Sequence, residues 1–398
     1  MAELSPTAAR SANARYRWVV LAAGTAAQAS FSAVLIGLPV LAPTLRERYD
    51  LSLSEVGVAL SSFWIGPILT LLAWGLLADR VGERIVLATG LAGCGVFVVA
   101  AGWAGSFATL VALLMVAGAL GSVNAASGRA VINWFSAEQR GFALGVRQTA
   151  IPLGGVVAAL VLPVLNDLGG LEASFAFLGG LCLATAAAAA VFIRDANRAA
   201  PELETEDVEW TLRDSRLWIL STGSGLYLFS QIALTSFLVL FLHDEHGLSD
   251  RAAAAALAVL QVAAVASRIS AGRISDVMRA RIRPLRWIGL ASCAGVLVTA
   301  IVAEAPTGVV VPVMIVAGAI SMAWNGLSVT AAAELAGVSR SGAAIGFQQT
   351  TLGVAGVVIP VWFAYVVDTV SWPTGFALAA IGPLVGWYLL GRVPEIAG

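Results

Sequence analysis

Three arginines, Arg129, Arg147 and Arg268, lie inside otherwise apolar stretches of this 398-residue chain. Each sits about six to eight residues from a helix end, roughly 9–12 Å deep at 1.5 Å per residue. A guanidinium at a membrane-helix centre costs roughly 2.5–3.5 kcal/mol, so it is kept there for a reason. Its planar, permanently charged fork either holds an oxyanion or locks a gate against an acid. Asp and Glu do not occur at similar depth: Glu55, Glu304, Glu334 and Asp368 all fall near the ends of apolar stretches. That pattern disfavours a buried carboxylate site for cations and favours an anionic or neutral ligand.

Neutral polar residues form a second set. Thr25, Gln28 and Ser32 share one face of the first apolar stretch, and Ser224, Tyr227 and Gln231 line the seventh. Asn124 and Asn325 fall near the middle of the fourth and tenth. Unpaired polar groups in hydrocarbon are costly, so these must face a cavity or bond another helix, and both readings stand. Gly141, Gly145, Gln148, Pro152 and Gly155 form a stripe of small residues carrying one glutamine. Gly342, Gly346, Gln349, Gly353 and Gly356 repeat it at the same spacing. Such stripes bring membrane helices close, with substrate contact through Gln148 and Gln349 as the competing reading. Trp64 and Trp324 can supply stacking walls or simple packing.

Covalent chemistry is poorly served. The two histidines, His243 and His246, flank Asp244 and Glu245 in one loop, which reads as a solvated turn or a weak metal site. Cys94, Cys182 and Cys293 fall inside apolar stretches and form neither a disulfide framework nor a spaced metal site. No Walker-type phosphate loop is present. The expectation is a protein with no cofactor, no metal and no catalytic centre.

The elements that position these residues follow from composition. The chain is 59% hydrophobic and 12% charged, where a soluble domain carries about 25% charged residues, so most of its surface faces lipid. The net charge of −1 gives no reason to expect a nucleic-acid partner, and all 23 basic residues are arginine. Twelve spans are predicted, each near the roughly 20 residues a bilayer requires. They run over Trp18–Pro43, Leu53–Ala78, Ile85–Ala104, Phe107–Trp134, Phe142–Leu165 and Ala173–Ile193, then Leu217–Leu242, Ala252–Ser275, Leu285–Ala303, Gly308–Leu335, Gly342–Val367 and Pro373–Gly391. The first run is too long, and too early in a series, for a cleaved signal peptide. The predicted fold is all-α and integral to the membrane. Residues 1–193 and 217–398 form two six-helix bundles, joined by an acidic linker over 194–216. Arginines crowd one side, and only Arg46, Arg48 and Arg251 fall on the other. The positive-inside rule therefore places both termini and the linker in the cytoplasm.

The chain also repeats. Gly75-Leu76-Leu77-Ala78-Asp79-Arg80-Val81-Gly82-Glu83-Arg84 joins the second and third spans. Gly272-Arg273-Ile274-Ser275-Asp276, 197 positions later, stands at the same place in the second half. Leu51-Ser52 matches Leu248-Ser249 at that offset, while Asn124, Gly145 and Gln148 match Asn325, Gly346 and Gln349 at an offset of 201. Two parallel copies imply a substrate path between them.

The Gly-x-Leu-Ala-Asp-Arg-x-Gly-x-Arg loop and its weaker copy resemble the signature loops of the major facilitator superfamily. That resemblance implies a monomeric twelve-helix secondary transporter, working by alternating access on a small molecule in the cell membrane. It also implies that Asp79, Arg80 and Arg84, turned by Gly75 and Gly82, brace the two halves on the cytoplasmic side, with Gly272 and Asp276 in the second copy. Glu83 stands where the family carries a basic residue. Gly145 through Gly155 partly resembles the family's antiporter motif, with Ile151 in place of a glycine and Ala117 in place of a fourth-span arginine. A proton-coupled multidrug or metabolite antiporter and a non-transporting membrane sensor are the alternatives.

Overall fold

The computed structural model describes residues 6–121, 134, 135, 143, 146–194, 213–337 and 340–396; among them the regular structure is entirely helical. Asn124, Arg129, Gly141 and most of the linker lie outside the described residues, and of Gly75 and Asp79 only their place on the helix Leu53–Val81 is described. Among the described residues, ten stretches are long and apolar enough to cross a membrane. One of them, Val146–Phe192, is 47 residues long and breaks at Gly169 and Gly170. Gly170 takes φ 67°, which a side chain would make strained. The chain reverses there, since Ser174 Oγ donates to Leu162 O and both Leu162 and Leu178 crowd Gly37. Dividing this stretch at its break and adding the shorter helix Phe107–Gly121 gives the twelve predicted traverses.

Span starts are built from the repeated dipeptides. Ser52 caps the second span: its hydroxyl accepts from Glu55 N, and its own N–H donates 2.9 Å to Glu55 Oε2. Ser249 does the same for Asp250–Met278, accepting from Ala252 N at 3.3 Å. Leu51-Ser52 and Leu248-Ser249 are thus one capping device used twice.

Without a hydrophobic drive between helices in lipid, small residues set the packing. The second span meets the fourth where a Cβ on Gly118 would stand 2.2 Å from Phe63 O. The third meets the sixth through Gly95 and Gly179. Eighth with tenth, and ninth with twelfth, repeat this pairing in the later spans. Two seams join early to late spans: second against eleventh, and fifth against eighth.

Three spans differ from the continuous helices expected. The seventh is Ser215–Gly225, Leu228–Thr235 and Leu238–Asp244. The tenth is Thr307–Ser321 and Trp324–Ala336, and the twelfth is Trp372–Ala379 and Ile381–Leu390. At such breaks the regular i→i−4 pattern lapses, and main-chain carbonyls become free to accept side chains.

Candidate functional site

The seam between fifth and eighth spans brings two of the buried arginines to one place. Arg147 Nη2 donates 2.8 Å to Gln28 Oε1 on the first span, and both side chains are buried. The next carbonyl along the chain, Gln148 O, accepts from Arg268 Nη1 at 3.5 Å. Arg268 Nε donates 3.0 Å to Met322 O, at the break in the tenth span. Arg268 is only half-buried, and among the described residues it makes no ion pair with a carboxylate. Two main-chain carbonyls use part of its five-donor fork and leave the remaining N–H groups for something else.

The Met322 carbonyl extends the network. Asn325 Nδ2 lies 3.5 Å from it and donates 3.0 Å to Gln231 Oε1, which also accepts from Trp324 Nε1 at 3.1 Å. A continuous polar path thus runs from Gln231 on the seventh span through Asn325 and Arg268 to the fifth. The Gln261 amide, two turns from Arg268 and 1% exposed, keeps its Oε1 unpaired beside Gly155.

Two expected site residues are placed elsewhere. Tyr227 is fully buried and donates 3.0 Å to Leu285 O while packing on Gly289, so it ties the seventh span to the ninth. Gln349 is exposed, and its neighbour Gln348 turns inward, donating 2.7 Å to Ser328 Oγ, which bonds Ser224. Glycine spacing picks out a helix face but not which neighbour that face meets. Gln348, 201 positions after Arg147, is the buried member of the pair. The repeat itself was the signal that could have identified it.

The loop residues divide similarly. Gly82, at φ 91°, ends the second span and starts the third. Arg80 is exposed, and Arg84 Nε donates 2.5 Å to Ala190 O on the sixth span. In the second copy Gly272 has open space where a Cβ would be. Asp276 pairs with Arg281 at 2.6 Å, and Arg281 also pairs with Glu334 at 2.9 Å. The hydrogen bonds that Arg281 donates to Glu334 raise the Arg281 pKa, and this hub joins the eighth span's end to the tenth's.

On the face opposite the Gly82 turn, Arg46 pairs with Asp244, Arg251 Nε with Asp167 Oδ2 at 2.5 Å, and Ser54 Oγ with Asp368 Oδ2 at 3.0 Å. Each of these contacts joins an early span to a late one.

The family model described as Major Facilitator Superfamily matches residues 20–360. An uncharacterized MFS-type transporter of Mycobacterium tuberculosis is 33% identical over 371 residues, covering 92% of this chain and 83% of its own. A probable sulfoacetate transporter of Cupriavidus necator is 26% identical, covering 89% of each. Among solved structures, an inward-facing bacterial homolog of the human lysosomal transporter Spinster superposes with a TM-score of 0.74 at 16% identity, covering 95% of both chains.

Proposed function

The chain belongs to the major facilitator superfamily, and from that premise we propose that it carries a small organic anion across the cytoplasmic membrane by alternating access. As a multi-pass transporter of this family it is not an enzyme. The observation that carries the substrate class is Arg268, a part-buried guanidinium bonded, among the described residues, to the carbonyls of Met322 and Gln148. Carbonyl dipoles orient the fork without neutralising it, so a carboxylate or sulfonate entering the seam meets a whole positive charge. Arg147, one residue before Gln148, sits beside the same seam with a neutral amide on it. The similarity to a probable sulfoacetate transporter supports the same class.

In this reading residues 1–193 and 217–398 rock about the seam as two halves, with both termini and the linker in the cytoplasm. The Asp79 and Asp276 loops brace the inner side, the Arg46, Arg251 and Ser54 contacts brace the outer side, and a single chain suffices. The test is counterflow into proteoliposomes loaded with sulfoacetate, against a neutral sugar and a lipophilic cation. Exchange of the anion alone is expected. Exchange of the cation alone would replace this reading with drug efflux.

A further inference from the structure

Three arginines at one rim of the helix bundle make no ion pair among the described residues. Arg283 and Arg286 stand one turn apart at the start of the ninth span, Ile282–Val302, and Arg392 follows the end of the twelfth. Each guanidinium lies on an aromatic ring: Arg283 is 5.7 Å from the Trp287 centroid, Arg286 4.9 Å from Trp387, and Arg392 4.8 Å from Tyr388. Arg286 Nε also donates 3.3 Å to Trp387 O, and Arg392 Nη2 donates 2.8 Å to the Tyr388 hydroxyl. The forks are therefore held in place by neutral groups, and they cluster because the two helix ends pack together.

The neighbouring acids are engaged elsewhere. Glu395 accepts the main-chain N–H groups of Arg281, Ile282 and Arg283 at 2.7, 2.8 and 3.1 Å. Asp276 and Glu334 are bonded to Arg281. Trp287 and Tyr388 are 52% and 56% exposed, and aromatic rings bared at span ends belong at headgroup level. Exposed Leu290 and Leu384 continue the same faces one turn deeper, at acyl-chain level.

We propose that this rim, between the ninth and twelfth spans, binds the phosphodiester headgroup of an anionic membrane lipid. The planar forks match a phosphate's oxygens, and a headgroup lacking its own cation supplies the missing charge. Choline lipids bring a positive group to a site already carrying three. Inorganic phosphate lacks the chains that the exposed leucines can cover.

The full chain, purified in a neutral detergent, is titrated with phosphatidylglycerol, phosphatidylcholine or inorganic phosphate. Native mass spectrometry counts bound lipid, and thermal unfolding reads protection. Phosphatidylglycerol is expected to bind and protect, and the other two are not. Arg283→Gln should weaken phosphatidylglycerol about fivefold, and Arg283→Gln with Arg392→Gln on the order of thirtyfold. Arg273→Gln, which removes an exposed charge from the same side but outside the cluster, should leave binding unchanged. The Arg283 side chain lies on Trp287 of its own helix and its bond to Glu395 is made by the main chain, so the single variant keeps the helix pairing and the test intact if the double variant fails to fold. Equal binding of both lipids, protection by phosphate alone, or unchanged affinity in the folded variants would overturn the proposal.

Discussion

Arg46, just past the first span, pairs with Asp244, 198 positions later at the end of the seventh, on the face opposite the Gly82 turn. Arg251 with Asp167 and Ser54 with Asp368 make the same kind of connection. The two exposed ion pairs are individually weak, at about 0–1 kcal/mol, and the hydrogen bond of Ser54 is a contact of similar scale. Their leverage is collective, because on the proposed reading this is the outer face, and one opening movement there would break all of them.

Asp244→Asn is therefore expected to shift the population toward an open outer face by a few fold, on the order of 0.5–1 kcal/mol. Spin labels at Glu47 and Glu245, both exposed and flanking the pair, report the distance distribution. Exchanging the charges in a double variant, Arg46→Asp with Asp244→Arg, should bring that distribution back. An identical distribution in wild type and Asp244→Asn would leave the pair without a latching role.

A pH effect is expected where the linker enters the seventh span. Asp214 caps Ser215–Gly225, accepting from Arg216 N at 2.8 Å and Arg216 Nη2 at 2.7 Å. The Arg216 hydrogen bond holds the carboxyl below its ordinary value. A depressed folded-state pKa contributes stability above the unfolded value, near 3.9, and that contribution fades as pH falls through the lowered one. Asp214→Asn keeps a capping acceptor but removes the charge. The thermal midpoint of wild type should exceed that of the variant at neutral pH and converge with it in acid. Asp214→Ala should lose about 1 kcal/mol at neutral pH through the lost cap. A constant wild-type-to-Asn gap down to pH 3 would contradict the assignment.

What was legible in the sequence was whatever depends on one helix at a time. Span length, the capping serines at the shared offset and the turn at Gly82 are all local demands of a bilayer on a chain. The site depends on partners, and there the reading was coarser. Asn325-Gly326 lies close to Met322, but a turn dipeptide inside an apolar run does not say whether the helix yields, and the break of the tenth span frees the carbonyl that orients Arg268. Gln348 and Gln349 are chemically identical, and only the helix crossing Ser328 chooses between them. Tyr227 carries a hydroxyl that suits a ligand equally well, but a backbone carbonyl on the ninth span takes it.

Close helix approach gives a sharper stability test. A Cβ on Gly118 would lie 2.2 Å from Phe63 O, a main-chain atom that cannot swing aside. Gly118→Ala is expected to destabilise by roughly 1–3 kcal/mol as the second and fourth spans are forced apart. Gly346→Ala meets nothing within 4 Å and should be neutral or slightly stabilising through helix propensity. Thermal unfolding in detergent checks both. Equal midpoints for the two variants would mean that the second and fourth spans do not pack this closely.

The remaining expectation concerns Arg268 itself. If its free N–H groups hold the substrate, charge and fork geometry both matter, and they separate experimentally. Arg268→Lys retains the charge but cannot donate to Met322 O, Gln148 O and a ligand in one plane. Its apparent affinity for the anion should fall about tenfold, the scale of one lost charge-assisted hydrogen bond. Arg268→Gln loses the charge as well and should fall further, by roughly a hundredfold. Should Arg268 only brace the seam between fifth and eighth spans, both variants would bind the anion as wild type does and lose turnover instead. Equilibrium binding to purified protein, measured beside counterflow, divides these outcomes: lowered affinity in the order Lys then Gln supports the ligand role, and unchanged affinity with slowed exchange assigns Arg268 to the gate.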